Sequence, residues 1–314
     1  MSASIELLTI GTALVDSIIK GFDPKPVSAS GYRAESGTLS VGGEAVNGAI
    51  AAAKLGVRTA ILCSLGNDSA GTLVTAALEA NGVDTGRIVR SDEHPTPVTT
   101  MFVRDDGSRQ SITNTAHRYH FHPERFLGDL TGVRAVVLGS LFRAPFDDPE
   151  VISAVLKAVK SQGILIAADT KLPNFRFLSL ADLKEVLPLI DYITPNEDEA
   201  RYYTSKSDPQ EMAEVFLSSG VKNVIIKLSA KGCYFQNAEK SLRLPPFRVE
   251  AVDATGAGDT FLAGFLASLL NGASVQEALL FANACGAICT TKVGAAAALR
   301  DRAQVLHFLE SHRE

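Results

Sequence analysis

Short apolar runs rich in β-branched residues alternate along the chain with stretches whose apolar positions recur every three or four residues. Arg134-Ala-Val-Val-Leu-Gly139 reads as a strand, 150–160 as an amphipathic helix, and Ile164-Leu-Ile-Ala-Ala168 as the next strand. The same reading puts strands at 5–10, 59–64, 191–194 and 223–228, and helices at 44–55, 70–80 and 275–291. Such alternation predicts βαβ units around a mostly parallel sheet, with ligands outside the carboxyl ends of the strands. Segments 13–40 and 96–117 break the rhythm: they alternate polar with apolar residues and carry turn signals such as Asp105-Asp-Gly107, so they predict hairpin strands. There is no internal repeat, and the Ala-rich 294–298 is too short to be a linker.

A further helix is predicted over 260–270 (TFLAGFLASLL), directly after Gly256, Ala257 and Gly258. Residues this small let a substrate approach the main chain, and the unpaired amides of a helix start attract anions without any lysine. Asp259 stands at the same place. An isolated carboxylate there is ordinarily a cap, but a cap does not need glycine on both sides of Ala257, and general base for a substrate hydroxyl is the stronger reading. The loop shows no cation of its own. The segment therefore points to phosphoryl transfer.

Composition narrows the classes. The 314 residues are 46% hydrophobic, enough for one large domain or two small ones. Thirty Lys and Arg against 35 Asp and Glu leave a net charge of −5, which gives no electrostatic reason to expect a nucleic-acid partner. No apolar run reaches the ~18 to 20 residues needed to span a bilayer, and the N-terminus lacks a basic segment, apolar stretch and cleavage site. No membrane partner is expected, and the cytoplasm is the expected compartment. Cys63, Cys233, Cys285 and Cys289 sit among apolar neighbours and read as reduced core thiols.

Asp253-Ala-Thr-Gly-Ala-Gly-Asp-Thr-Phe261 resembles the C-terminal signature of the PfkB/ribokinase family of carbohydrate and nucleoside kinases. Gly42-Gly43-Glu44-Ala45-Val46-Asn47 is similar to the family's N-terminal Gly-Gly and Asn pattern. Asn196 and Glu199 match its Asn-x-x-Glu motif. The resemblance implies a single ribokinase-like α/β domain over 1–314, a Rossmann-type three-layer fold with a mostly parallel sheet and a small β-strand lid built from 13–40 and 96–117. It implies ATP and Mg2+, with Asp259 as general base and the amides of Gly256, Ala257 and Gly258 as anion hole. Asn196 and Glu199 would influence magnesium through water and phosphate; without the resemblance they read as a helix start with an acidic first turn after Pro195.

The same resemblance turns Lys227, Ser229, Gly232 and Asn283, together with Asn196, Gly256 and Gly258, toward the nucleotide. It offers carbonyls of Asp253, Thr255, Cys289, Lys292 and Gly294 to K+, although Ala297 and Ala298 stand where some relatives have a Ser hydroxyl. Asp16, Gly43 and Asn47 align with positions that hold sugar hydroxyls. Arg104, Arg109, Asn114, His117 and Arg118 fall in the second lid segment, with Arg143 and Lys171 after strands at the cleft edge. If these cations face inward, they favour an acidic or phosphorylated sugar. Arg109 and Arg143 are taken as substrate contacts. Asp169-Thr-Lys-Leu-Pro-Asn-Phe-Arg176 departs from the family's frequent Asp-x-Asn-x-Arg pattern.

The implied activity is phosphorylation of a hydroxymethyl or hydroxyl group of a sugar or sugar derivative. A nucleoside kinase is the alternative within the family, with Tyr119, Phe121 and Phe142 as the aromatics near the lid. A noncatalytic sugar-binding relative is the alternative outside catalysis, opposed by the intact Asp259 and its glycines. A dinucleotide binder fails because Gly11-Thr-Ala-Leu-Val-Asp16, not Gly-x-Gly-x-x-Gly, follows the first strand. Homodimerisation through the lid is a family trait, and Val98 to Val103 are expected as its edge strand.

Overall fold

Aliphatic runs with no polar break must be covered on both faces, and they form the centre of the molecule. The computed structural model describes residues 4–21, 34–104, 109–114, 120–295 and 297–312, with Arg109 described in its backbone only. In chain order, β1 (Leu7–Ile10) is followed by β2 (Leu14–Lys20), β3 (Ser36–Gly42), α1 (Glu44–Lys54), β4 (Thr59–Leu62), β5 (Ser64–Gly66), α2 (Ser69–Ala80), β6 (Val89–Ser91), β7 (Val98–Val103) and β8 (Arg109–Thr113). Next come β9 (Ala135–Leu141), α3 (Pro149–Lys160), β10 (Leu165–Thr170), β11 (Tyr192–Ile193), α4 (Glu197–Thr204) and α5 (Pro209–Ser218). The chain finishes with β12 (Asn223–Lys227), β13 (Cys233–Asn237), β14 (Ser241–Leu244), α6 (Ala257–Leu270), α7 (Val275–Thr290) and α8 (Arg302–Ser311).

The main sheet runs β14-β13-β12-β11-β10-β9-β1-β4. It is parallel from β12 to β4 and antiparallel at β13 and β14. Alternate residues serve opposite faces. Leu8, Val136 and Ile166 pack with α3 and α5 through Val155 and Phe216, whereas Leu7, Val137 and Ala167 pack with α6 and α7 through Phe265 and Ala282. The mostly parallel sheet expected from the alternation and the three layers implied by the resemblance are therefore present. Phe121 and Phe142 belong to the first of these cores, 7% and 0% exposed. They do not line a lid, because the apolar face of the sheet claims them; Tyr119, His117 and Arg118 lie outside the described residues.

The two irregular segments form a second sheet, β3-β2-β7-β8. β2 pairs antiparallel with β3, β7 antiparallel with β8, and β2 parallel with β7. Its register sorts side chains into two sets: Ser40, Asp16, Thr99 and Thr113 share one face, and Leu39, Ser17, Thr100 and Ile112 the other. β7 lies between β2 and β8, so Val98 to Val103 are interior and the edges are β3 and β8. The expectation of an edge there overlooked the hydrogen bonds that β8 supplies.

Helix starts fall into two kinds. Asp68, Asp148, Asn196, Asp208, Ser274 and Asp301 cap α2, α3, α4, α5, α7 and α8 with a side chain. α1 and α6 begin instead at Gly43 (φ 100°) and Gly256 (φ 74°), with no side-chain cap bond. Both conformations favour glycine, and both starts leave their first amides without a side-chain partner. These two starts meet at the carboxyl ends of the parallel strands.

Candidate active site

Asn47 on α1 donates from Nδ2 to Asp259 Oδ2 on α6 at 2.8 Å. Residues 212 positions apart, singled out separately in the sequence, thus touch. α6 begins three residues earlier than expected, at Ala257, so Asp259 is in its first turn and Gly256 is its cap residue. Gly-Ala-Gly is too weak a helix former for that start to be visible in the sequence. Asp259 does not cap the helix: its carboxylate is turned to Asn47. Although its side chain keeps some contact with solvent, protein packs densely around it. Burial pushes its pKa up to about 6, with Glu44 and Asp169 adding to the rise, and Lys171 and the Asn47 bond opposing it.

The glycines of the loop divide by role. A Cβ on Gly256 would collide with Ala295, so this glycine closes the loop against the segment after α7. A Cβ on Gly258 would meet only Lys227 Nζ, at 3.0 Å. The Ala257 amide donates to the Ala254 carbonyl at 3.2 Å in the turn leading into α6. The absence of a cation, true of the loop, is not true of the site. Lys227 arrives from β12 and pairs with Asp169 at 2.6 Å.

Asp169, named in the sequence only as the start of the segment that departs from Asp-x-Asn-x-Arg, was given no site role; it is 3% exposed at the end of β10 and also accepts from Thr194 Oγ1 at 2.9 Å. The available signal was a lone carboxylate closing an apolar strand, Ile-Ala-Ala-Asp. Asp169, Asp259 and Glu44 line a cavity of about 10 Å3, room for roughly one water. Glu199 is buried beside them. Its Oε2 accepts from the Asn196 amide at 2.9 Å and from Thr170 Oγ1 at 2.8 Å, while Asn196 Oδ1 accepts from the Glu199 amide at 2.9 Å. The Asn-x-x-Glu motif is therefore a capping box. Burial and then Asp169 raise the Glu199 pKa.

Asp16 projects from β2 over Gly42, and its pKa is raised by burial and by Glu44. A side chain on Gly43 would run into the Thr12 carbonyl, so Gly43 fixes the β3–α1 turn beneath it. Of the cations expected to attract an acidic sugar, Arg104, Arg143 and Lys171 have described side chains and are engaged within the chain. Arg143 donates to the Leu172 carbonyl through Nε at 3.2 Å and Nη2 at 2.8 Å, and Arg104 donates to Gln110 at 2.8 Å. Asn114 Oδ1 accepts from the Val98 amide at 2.5 Å. Lys171 lies 3.9 Å from Glu44. The Arg109 side chain lies outside the described part.

Farther along the nucleotide side, Ser229 is exposed in a turn after β12 with φ 53°. Gly232 is buried with φ 86°, and its carbonyl accepts from the Leu228 amide at 2.8 Å. Asn283, 8% exposed, spends Nδ2 on the Pro245 carbonyl at 3.1 Å and so ties α7 to the segment after β14. Asp253 accepts from Thr255 N and Oγ1 and from the Gly294 amide, at 3.0, 2.6 and 3.0 Å. That carboxylate joins the loop before α6 to the loop after α7. Cys289 Sγ donates to the carbonyls of Thr255 at 3.6 Å and Ala295 at 2.9 Å. All four cysteines are free and buried, as expected. Among the described residues no helix is long and apolar enough to cross a membrane.

An α/β fold with two glycine-capped helix starts and a base candidate at the carboxyl ends of its parallel strands defines a phosphotransferase architecture. The profile of the pfkB family carbohydrate kinases matches residues 5–302, and the chain belongs to that family. It is 31% identical over 278 residues to a ribokinase of Haemophilus influenzae, covering 87% of this chain and 88% of that protein. It is 28% identical over 314 residues to fructokinase-2 of Zea mays, covering 93% and 90%. Among solved structures, ribokinase of Arabidopsis thaliana complexed with ribose and ATP superposes with a TM-score of 0.82 at 26% identity, over 98% of this chain and 99% of that one. A provisionally named ribokinase II from Escherichia coli with ATP and Mg2+ gives 0.79 at 27% identity, over 98% and 100%. The protein is thus a sugar kinase.

Proposed function

We propose that this kinase transfers the γ-phosphoryl group of ATP to a hydroxyl of a neutral sugar of the ribose or fructose kind, with Asp259 as general base. The observation that carries the reading is the Asn47–Asp259 bond at the uncapped start of α6. With Asn47 on Oδ2, Oδ1 remains for the acceptor hydroxyl. Asp259 takes that proton as the hydroxyl oxygen bonds to the γ-phosphorus, the bond to the β-bridging oxygen breaks, and ADP leaves. The amides at Gly256 and Gly258, with the Lys227 ammonium beside Gly258, receive the charge of the transferring group. Asp16 and Asn47 are the acceptor contacts; Asn196, Ser229 and Gly232 border the nucleotide.

The donor chemistry fits Mg2+, since four carboxylates, Asp169, Glu199, Asp259 and Glu44, face two lysines, Lys171 and Lys227, and the surplus hard oxygens of Asp169 and Glu199 suit a hard cation. Buried Glu199 would act on it through water. Bound there, Mg2+ would supply charge neutralisation on the phosphates. K+ is proposed at the carbonyls of Asp253, Thr255, Cys289, Lys292 and Gly294, of which Thr255 keeps one lone pair beside the Cys289 contact. The second sheet is proposed as the lid, with Asp16 on its inner face and Leu39 and Ile112, 67% and 71% exposed, on an outer face suited to a second copy of the chain. Asp16 and Glu44 at the acceptor side disfavour acidic and phosphorylated sugars.

The test is ADP release from Mg-ATP against neutral sugars, sugar acids, sugar phosphates and nucleosides, in K+ and in Na+, with Asp259→Asn alongside. One neutral sugar should turn over, and Asp259→Asn should reduce that turnover by about 10²- to 10⁴-fold. Sugar binding with no turnover across the panel would favour a noncatalytic relative instead.

A further inference from the structure

Gly43 turns the chain from β3 into α1 with φ 100°, and Glu44 is the first residue of that helix. A Cβ on Gly139, near the end of β9, would stand 3.3 Å from the Glu44 Cβ, so the missing side chain there leaves the room that Glu44 occupies. Asn47, which bonds Asp259, lies three residues on, and residues at that spacing are neighbours on one helix face. Glu44 therefore stands beside the candidate base, and the two line one cavity. Its side chain is 18% exposed, yet among the described residues its carboxylate accepts no hydrogen bond. Lys171 Nζ lies 3.9 Å away, outside hydrogen-bond range, and so supplies charge without donating a hydrogen. Asp16, set over Gly42 two residues before Glu44, accepts none from the described residues either.

We propose that Glu44 is a specificity-determining residue of the acceptor site, accepting a hydrogen bond from a sugar hydroxyl other than the one that is phosphorylated. The inference rests on the kinase reading with Asp259 as base. A largely buried carboxylate with a counter-charge but no donor is short of hydrogen, not of charge, and a neutral O–H supplies it. Cβ atoms three residues apart on a helix are about 5 to 6 Å from one another, so a sugar whose reacting hydroxyl is on Asp259 meets Glu44 with a different one. Where that hydroxyl is absent, the carboxylate is left unpaired; where an acid or a phosphate replaces it, like charges meet. The acceptor is thereby narrowed to neutral sugars in which the hydroxyl facing Glu44 is free: not removed, not oxidised to an acid and not phosphorylated.

The test compares kcat/KM for the best neutral sugar and its monodeoxy analogues, one hydroxyl removed at a time, in wild type and in Glu44→Ala. In wild type, removing one hydroxyl that is not phosphorylated should cost about 10- to 100-fold. In Glu44→Ala the same removal should cost about three-fold or less, as expected of a pair broken from either side. An effect of Glu44 through Lys171 on the phosphates would slow every acceptor alike and cancel from these ratios. Should Glu44→Ala not fold, Glu44→Gln keeps the shape without the charge, and the penalty should fall several-fold, because a neutral acceptor binds a hydroxyl more weakly than a carboxylate does. Penalties unchanged at every position in the folded variant overturn the proposal and leave Glu44 a partner of Lys171 alone. Asp259→Asn run in parallel distinguishes the failures: retained turnover there sinks Asp259 as base, while lost turnover with unchanged deoxy penalties sinks Glu44 alone. If sugar binds without turnover, the same ratios taken on Kd decide.

Discussion

The folded chain holds the Asp259 proton more tightly than an unfolded chain would, since its carboxyl titrates at about 6 against an ordinary 3.8. Between those values the native state binds more protons, so stability falls as pH rises through the window and the full cost is present above it. Asp259→Asn should therefore be more stable than wild type at pH 8 by about 1 to 3 kcal/mol, and no more stable near pH 3.5. Urea unfolding at both pH values checks the difference; equal stability at each would mean that the carboxylate is not desolvated. The sequence showed Asp259 and Asn47 as separate candidates. It could not show their contact, or the Lys227–Asp169 pair, because each joins elements far apart in the chain.

Among elements, the start of α6 asks different things of its two glycines. Gly256→Ala should cost about 2 kcal/mol or more, from a left-handed backbone and a collision with Ala295. Gly258→Ala lies inside the helix and presses on the Lys227 ammonium that pairs with Asp169, so it should cost less stability than Gly256→Ala while slowing turnover. Thermal unfolding beside initial rates separates the two. The start of α4 offers a similar contrast. Glu199→Gln keeps the capping box, which accepts either residue, so Tm should hold while the magnesium concentration for half-maximal rate rises. An unchanged magnesium response would remove Glu199 from the mechanism. The capping box was legible as a helix start; its packing against Thr170 was not, since that depends on which strand neighbours β11.

For the whole molecule, the alternation of apolar runs with helical periods was enough to predict βαβ units around a parallel sheet, because a strand covered on both sides can hardly be written otherwise. The three-layer arrangement came from the family resemblance. The hairpin segments were legible as strands, but not their order. β7 became interior because β8 folds back on one edge as a hairpin and β2, from far away in the chain, pairs with the other. The outer face with Leu39 and Ile112 predicts self-association, and Leu39→Asp with Ile112→Asp should shift a dimer to monomer in light scattering. A wild-type monomer at micromolar concentration would refute that assembly.

The seven residues of β2 place Asp16 on the face proposed for the acceptor and Ser17 on the opposite one. A slip of one residue would exchange those faces, so the strand's alignment is held by two demands at once. On the proposed lid and dimer, acceptor preference and subunit pairing would drift as linked traits over evolutionary time, carried by adjacent codons of a single strand.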